Sequence, residues 1–307
     1  MQIRKVIIAV VLVIVGLPVL LVLILMGAVS AANRTNGAIV SSGQKREYLV
    51  YVPRSYDRTK PTPLVISMHG AMNWPALQAR ISQWNKAADR DGFLVVYPSG
   101  TGFGPKAWFM EGAGTPSRMP DVSFISELID TLEATYDVDT TRIYVNGFSN
   151  GGGMAFVLSC TLSRRIAAIG AVSAAQSLPW SWCADSTPVP MIAFHGTADR
   201  IVPYTGGKVW LAPKPLPSVR AWVASWGRRN GCAPNPADSM VTADVSRLEF
   251  TGCVDDAAVV LYTIKGAGHQ WPGGRPLPAW LVGPTNPSID ATSLMWAFFR
   301  EHRLVTR

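Results

Sequence analysis

An α/β fold with a mostly parallel central sheet and helices on both faces is what this 307-residue sequence predicts. Three observations carry that expectation. Short apolar runs recur along the chain, helical patterns alternate with them, and the runs lack the wet face that an exposed sheet would show. Strands apolar on both sides need helices on both sides, which favours parallel pairing through helical crossovers.

The strand-like runs fall at 46–52, 64–68, 93–97, 143–145, 166–172, 191–194 and 259–264. Apolar residues at helical intervals predict helices over 77–88, 124–136, 152–162, 219–229 and 289–300, with Asp121 and Ser123 as N-cap candidates for the second. Two stretches rich in Gly and Pro, 98–120 and 271–287, resist regular structure. Both follow strands, on the edge where α/β folds build their sites, so they are expected to wall a cleft.

With 48% apolar and 16% charged residues, the chain has ample material for one buried core, and disorder is excluded as a description of it. The formal charge of +8 comes from scattered Arg and Lys. No basic stripe with stacking aromatics occurs, so a solvated basic surface is expected and a nucleic-acid partner is not.

Residues 6–26 carry no charge and are long enough to span a hydrocarbon core, with Arg4 and Lys5 before them and small residues after. That pattern predicts export, with the segment either cleaved as a signal peptide or kept as a membrane anchor. The expected organisation is 1–32 as signal or anchor, 33–45 as linker and 46–307 as one folded domain.

Four cysteines, Cys160, Cys183, Cys232 and Cys253, lie in the part expected to be exported. No C-x-x-C spacing occurs, so structural disulfides are expected in preference to a metal site. Three connectivities exist on paper. Pairing of sequence neighbours would close loops of about twenty residues, each contributing on the order of 3 kcal/mol.

The central motif is Gly147-Phe148-Ser149-Asn150-Gly151, with a predicted strand before it and a helix of small residues after it. A sharp strand-to-helix turn needs Gly on both sides of the serine and lifts its hydroxyl into the open at a helix N-terminus. A phosphate-binding loop would need a Gly-Lys-Ser/Thr run, which is absent after Gly153.

A serine hydroxyl needs a histidine to take its proton. Of His69, His195, His269 and His302, only His269 sits in a Gly-rich loop after the last predicted strand. Nucleophile, acid, histidine is the chain order expected for such a turn, and it selects His269 as base and Asp199 as the acid between them. His195 is expected to be structural. The oxyanion donors are expected to be the N–H of Asn150 and that of Ala71 in the loop after an early strand, with Met72 as the alternative to Ala71. Trp108 and Trp271, in the two long loops, are the expected aromatic walls of the substrate cleft.

These segments resemble the exported esterases grouped with polyhydroxybutyrate depolymerases and bacterial feruloyl esterases. The resemblance covers nearly all of the chain from Arg46 onward. It is carried by Met68-His69-Gly70, by residues 139–155, by the run from His195-Gly196-Thr197-Ala198-Asp199 to Tyr204, by Asn230-Gly231-Cys232 and by Gly268-His269-Gln270-Trp271-Pro272-Gly273. It implies an α/β-hydrolase fold, the triad Ser149, Asp199 and His269, and cysteine positions similar to the pairing of sequence neighbours. Gly153 departs from it, since relatives commonly carry a bulkier apolar residue there.

The expected reaction is hydrolysis of a small or oligomeric carboxylic ester, of short-chain, hydroxyalkanoate or feruloyl/acyl-sugar type, through an acyl-enzyme on Ser149 and with no cofactor. Acyl transfer by the same triad, or a catalytically silent ligand-binding protein, are the alternatives.

Overall fold

The computed structural model describes residues 34–102, 106–109, 119–176, 178–183, 187–209 and 214–304. The expected signal or anchor, 1–32, lies outside them. Among the described residues no helix is long and apolar enough to cross a membrane.

The strands are β1 (Gly37–Ser41), β2 (Gln44–Tyr51), β3 (Thr62–Met68), β4 (Leu94–Pro98), β5 (Val138–Phe148), β6 (Ala168–Val172), β7 (Met191–Gly196), β8 (Ala237–Thr242), β9 (Val245–Phe250) and β10 (Val259–Ile264). They form one sheet in the order β1-β2-β4-β3-β5-β6-β7-β10-β9-β8. Neighbours from β4 to β10 are parallel, and antiparallel strands close both edges.

The helices are α1 (Pro75–Ser82), α2 (Trp84–Asp91), α3 (Pro120–Thr135), α4 (Asn150–Thr161), α5 (Val219–Arg229), α6 (Ala279–Val282) and α7 (Ala291–Phe299). One face of the sheet packs against α3, α4 and α5 through Leu64, Ile66, Phe124, Ile125, Phe156 and Trp226. The other packs against α1, α2 and α7 through Val65, Val95, Trp84, Trp296 and Phe299. Every residue of β3, β4, β6 and β7 is buried, which is why those strands read as continuous apolar runs.

Several expectations need correction. Residues 33–45 are not a linker, because β1 lies within them and pairs antiparallel with β2. Its alternating, half-exposed pattern reflects an edge strand with one dry face. The single helix expected over 77–88 is broken at Gln83, which adopts φ 59°. There Thr292 Oγ1 donates to the Ser82 carbonyl, and Trp84 turns inward so that its indole N–H reaches Asn146 Oδ1 at 3.1 Å. Asp121 does not cap α3. It lies in the first turn behind Met119 and Pro120, and its buried carboxylate meets Arg46 at 2.6 Å. The antiparallel β8–β9 hairpin leaves no clear apolar run, because β8 is exposed along nearly its whole length and β9 is only partly buried.

Two disulfides form, Cys160–Cys183 and Cys232–Cys253, the pairing of sequence neighbours. The first ties the end of α4 to a short 3-10 turn at Trp180–Trp182. The second ties the segment after α5 to the end of the β9 hairpin.

Candidate active site

The serine of the central motif sits where β5 passes into α4, at φ 54° and ψ −118°. A non-glycine residue at positive φ is strained, and here the strain is held by close packing on both sides. A Cβ on Gly147 would lie 2.1 Å from the Gly151 carbonyl carbon. One on Gly151 would lie 2.4 Å from the Met68 carbonyl oxygen and 2.5 Å from that of His69. Only glycines at these two positions let α4 start so close to the end of β3. The turn is anchored further by the Ser149 N–H on the Val172 carbonyl at 2.8 Å.

Asp199 lies just past the end of β7 and His269 past the end of β10, two adjacent parallel strands. The carboxylate is buried. Its Oδ1 accepts the N–H groups of Ile201 and Val202 at 2.9 and 2.8 Å, and its Oδ2 accepts Nδ1–H of His269 at 2.7 Å. A carboxylate can only accept, so Nδ1 carries the proton and Nε2 is the unprotonated ring nitrogen. The His269 backbone is fixed by its N–H on the Val282 carbonyl at 2.6 Å, and its ring packs against Phe148, the neighbour of Ser149, at 4.8 Å. Among the described residues the Ser149 hydroxyl makes no hydrogen bond, and the serine is partly exposed. Such bonds commonly tighten only when substrate binds.

The expected oxyanion donors flank this turn. Asn150 opens α4, and Ala71 lies in the loop between β3 and α1. Among the described residues neither backbone N–H donates a hydrogen bond. Met72 has φ 56° and an exposed side chain.

Trp108 and Trp271 do not line the cleft as open aromatic faces, since each is only 2% exposed. Trp108 donates its indole N–H to the His69 carbonyl at 2.8 Å, and Trp271 donates to Thr292 Oγ1 at 2.9 Å. Packing the indoles inward satisfies their N–H groups and makes them supports of the wall. Among the described residues the large apolar side chains exposed in the segments after the parallel strands are instead Met72, Phe109, Ile201 and, on α6, Trp280 and Leu281.

Other contacts at the site, made by residues the sequence already singles out, were not legible in it. His69 is fully buried, with Nδ1–H donating to the Gly70 carbonyl at 2.7 Å and Nε2 accepting the Gly100 N–H at 3.0 Å. Burial pushes its pKa down to about 4, which keeps the ring neutral. Gln270 bridges its own loop, accepting from the Leu277 N–H and donating to the Leu277 and Gly283 carbonyls. The Asn150 carboxamide accepts the Trp108 N–H at 2.7 Å and donates to the Trp108 carbonyl at 3.1 Å. None of these bonds leaves a periodic signal in a linear sequence. His195, expected to be structural, is buried and donates Nε2–H to the Val202 carbonyl at 2.8 Å.

Residues 55–211 match the phospholipase/carboxylesterase family. The chain is 31% identical over 238 residues to feruloyl esterase B of Piromyces equi, covering 75% of this chain and 44% of that protein. It is 33% identical over 162 residues to the bifunctional acetylxylan esterase/xylanase XynS20E of Neocallimastix patriciarum, covering 53% of this chain and 22% of that protein. The chain therefore spans less than half the length of these two relatives. It is 30% identical over 273 residues to feruloyl esterase C of Emericella nidulans, covering 86% of this chain and 87% of that protein. An acetyl xylan esterase structure from Aspergillus awamori shares the fold, with a TM-score of 0.56 at 16% identity over 76% of this chain and 93% of that one. With its sheet order, its strained serine turn and these matches together, the chain belongs to the feruloyl esterase-like α/β hydrolases of the phospholipase/carboxylesterase family.

Proposed function

We propose that this protein is an extracytoplasmic serine esterase that hydrolyses carboxylic esters through an acyl-enzyme on Ser149. The observation that carries the reading is the 2.7 Å bond from His269 Nδ1–H to Asp199 Oδ2, at the carboxyl ends of the parallel strands, where Ser149 is held at positive φ. In this reading His269 Nε2 takes the hydroxyl proton as Ser149 Oγ attacks the ester carbonyl. Asp199 holds the ring in the right tautomer and stabilises the imidazolium. The oxyanion rests on the N–H groups of Asn150 and Ala71, the first at a helix N-terminus where the dipole favours negative charge. Collapse releases the alcohol with the proton from His269. Water then repeats the sequence and frees the acid.

The substrate class is proposed to be feruloyl or acyl-sugar esters. Relatives named feruloyl esterase and acetylxylan esterase support it, as do the exposed Phe109 and Trp280, whose rings offer apolar faces to an aromatic acid or a sugar. Two disulfides and the apolar stretch at 6–26 support an oxidising, extracytoplasmic location. Cell fractionation separates a cleaved chain in the soluble exported fraction from an anchored chain in the membrane.

Replacing Ser149 with Ala should lower hydrolysis of a chromogenic acetyl ester and of methyl ferulate by roughly 10⁴-fold or more, with an unchanged melting temperature. A fluorophosphonate should label the wild type at Ser149 and leave the variant unlabelled. Hydrolysis retained by Ser149→Ala overturns the reading.

A further inference from the structure

The residue after the nucleophile is joined by its side chain to the wall opposite. We infer that Asn150 serves the oxyanion hole twice, giving one N–H from its backbone and positioning the other, on Ala71, through its carboxamide and Trp108. The inference rests on the esterase reading above and names a positioning role that this reading does not contain.

The path is a chain of hydrogen bonds, partly buried at Asn150 and fully buried at His69. Asn150 Oδ1 accepts the Trp108 N–H at 2.7 Å and Nδ2 donates to the Trp108 carbonyl at 3.1 Å, a two-point grip like one rung of a β-ladder. The gripped residue reaches the other loop by its side chain, since Trp108 Nε1–H donates to the His69 carbonyl at 2.8 Å. That carbonyl lies two residues before Ala71 and packs against Gly151, so it has no room to relax toward α4. The same wall segment pairs with the far side of the loop, where Lys106 N–H donates to the Asn73 carbonyl at 3.2 Å. The His69 ring, bonded at both nitrogens and 5.1 Å from the Trp108 ring, fills the space between. Ala71 is thus spanned by anchors at residues 69 and 73, both on the segment that Asn150 holds. Two donors aimed at one developing charge must keep their spacing to a fraction of an ångström, and this path links them by side chains.

Asn150→Ala removes the grip and keeps the backbone N–H. Trp108→Phe removes the indole N–H and keeps most of the ring. With a chromogenic acetyl ester, too small to reach the outer walls, each variant should lower kcat by roughly tenfold to a hundredfold while KM changes less than about threefold. Because both cut one path, the double variant should fall no lower than the worse single variant within about threefold. A purely structural role would lower the melting temperature without that shared loss in kcat.

A kcat within twofold of wild type for either folded single variant overturns the inference, as do losses that multiply in the double variant. If Asn150→Ala does not fold by circular dichroism, the kcat of Trp108→Phe decides alone. Wild type and Ser149→Ala run alongside: hydrolysis that depends on Ser149 but ignores these substitutions refutes only the inference. Absence of that hydrolysis refutes the esterase reading, and the inference with it.

Discussion

His195 and His269 converge on one carboxylate oxygen: Asp199 Oδ2 lies 2.7 Å from Nδ1 of His269 and 3.4 Å from Nε2 of His195. The two rings hold it differently. His269 makes a direct bond, whereas His195 gives its proton to the Val202 carbonyl and only leans on the carboxylate. Burial lowers the pKa of His195, against the opposing pull of Asp199, so a neutral ring stands behind the hydrogen-bonded Asp199 and His269. His195→Leu leaves the Val202 carbonyl without its donor in a turn whose own N–H groups hold Asp199. The expected result is a loss of about 1–3 kcal/mol in urea unfolding, with a kcat reduction of roughly tenfold at nearly unchanged KM. Unchanged kcat would restrict His195 to packing.

Acid should destabilise the fold through His69. Burial holds its pKa at about 4 in the folded protein, against 6.5 for a free histidine, and Nε2 accepts a hydrogen bond that an imidazolium cannot accept. Below about 6.5 the unfolded chain binds the proton and the folded one does not, so stability rises with pH in that window. Stability is therefore intact above about 6.5 and declines as pH falls toward 4, by on the order of 3 kcal/mol from this group. His195 shifts in the same direction, so the informative quantity is the difference between wild type and His69→Gln across a pH series of urea titrations. The variant should show the shallower slope, and parallel curves would contradict the assignment.

The buried pair Arg46–Asp121 should be intolerant of losing one partner. Its side chains are 5% and 2% exposed, and the arginine also donates to the Ser99 carbonyl and lies 4.1 Å over the Phe124 ring. Asp121 accepts the Phe109 N–H at 2.9 Å with its other oxygen. Asp121→Ala strands a guanidinium without its carboxylate and should cost about 3–5 kcal/mol, read as a shift in urea midpoint at constant slope. The double variant Arg46→Met/Asp121→Leu should cost clearly less, because it removes both buried charges.

Gly151→Ala should fail at the turn. Its Cβ would meet two main-chain oxygens, of Met68 and His69, and neither can swing aside as a side-chain tip could. Moving α4 away from β3 should cost about 1–3 kcal/mol or more and displace the Asn150 N–H, so soluble protein and fluorophosphonate labelling should both fall. Normal labelling of the variant would show that the turn has slack.

Much of the architecture was legible because burial on both faces leaves an apolar run that any reader of the sequence can find, as at 64–68 and 93–97. The strands missed were β1, β8 and β9, at the sheet's edges or, for β9, next to one. β1 is half wet and β8 nearly all wet, so neither carries the signal that burial writes. Helix breaks were equally hidden. Gln83 ends α1 because Thr292, 209 positions further on, takes the Ser82 carbonyl, and no local propensity encodes that.

The sequence by itself determined the strand-turn-helix around Ser149 and the order of Ser149, Asp199 and His269 along the chain, while leaving three cysteine connectivities open. What it determined depends on residue identity at short range or on chain order. Only the tertiary structure decided that Trp108 and Trp271 point inward, that Asp121 is an ion-pair partner and not a cap, and that the Asn150 carboxamide grips the opposite wall. Those outcomes turn on which buried donor finds which acceptor across the fold, and that matching exists only once the chain is packed.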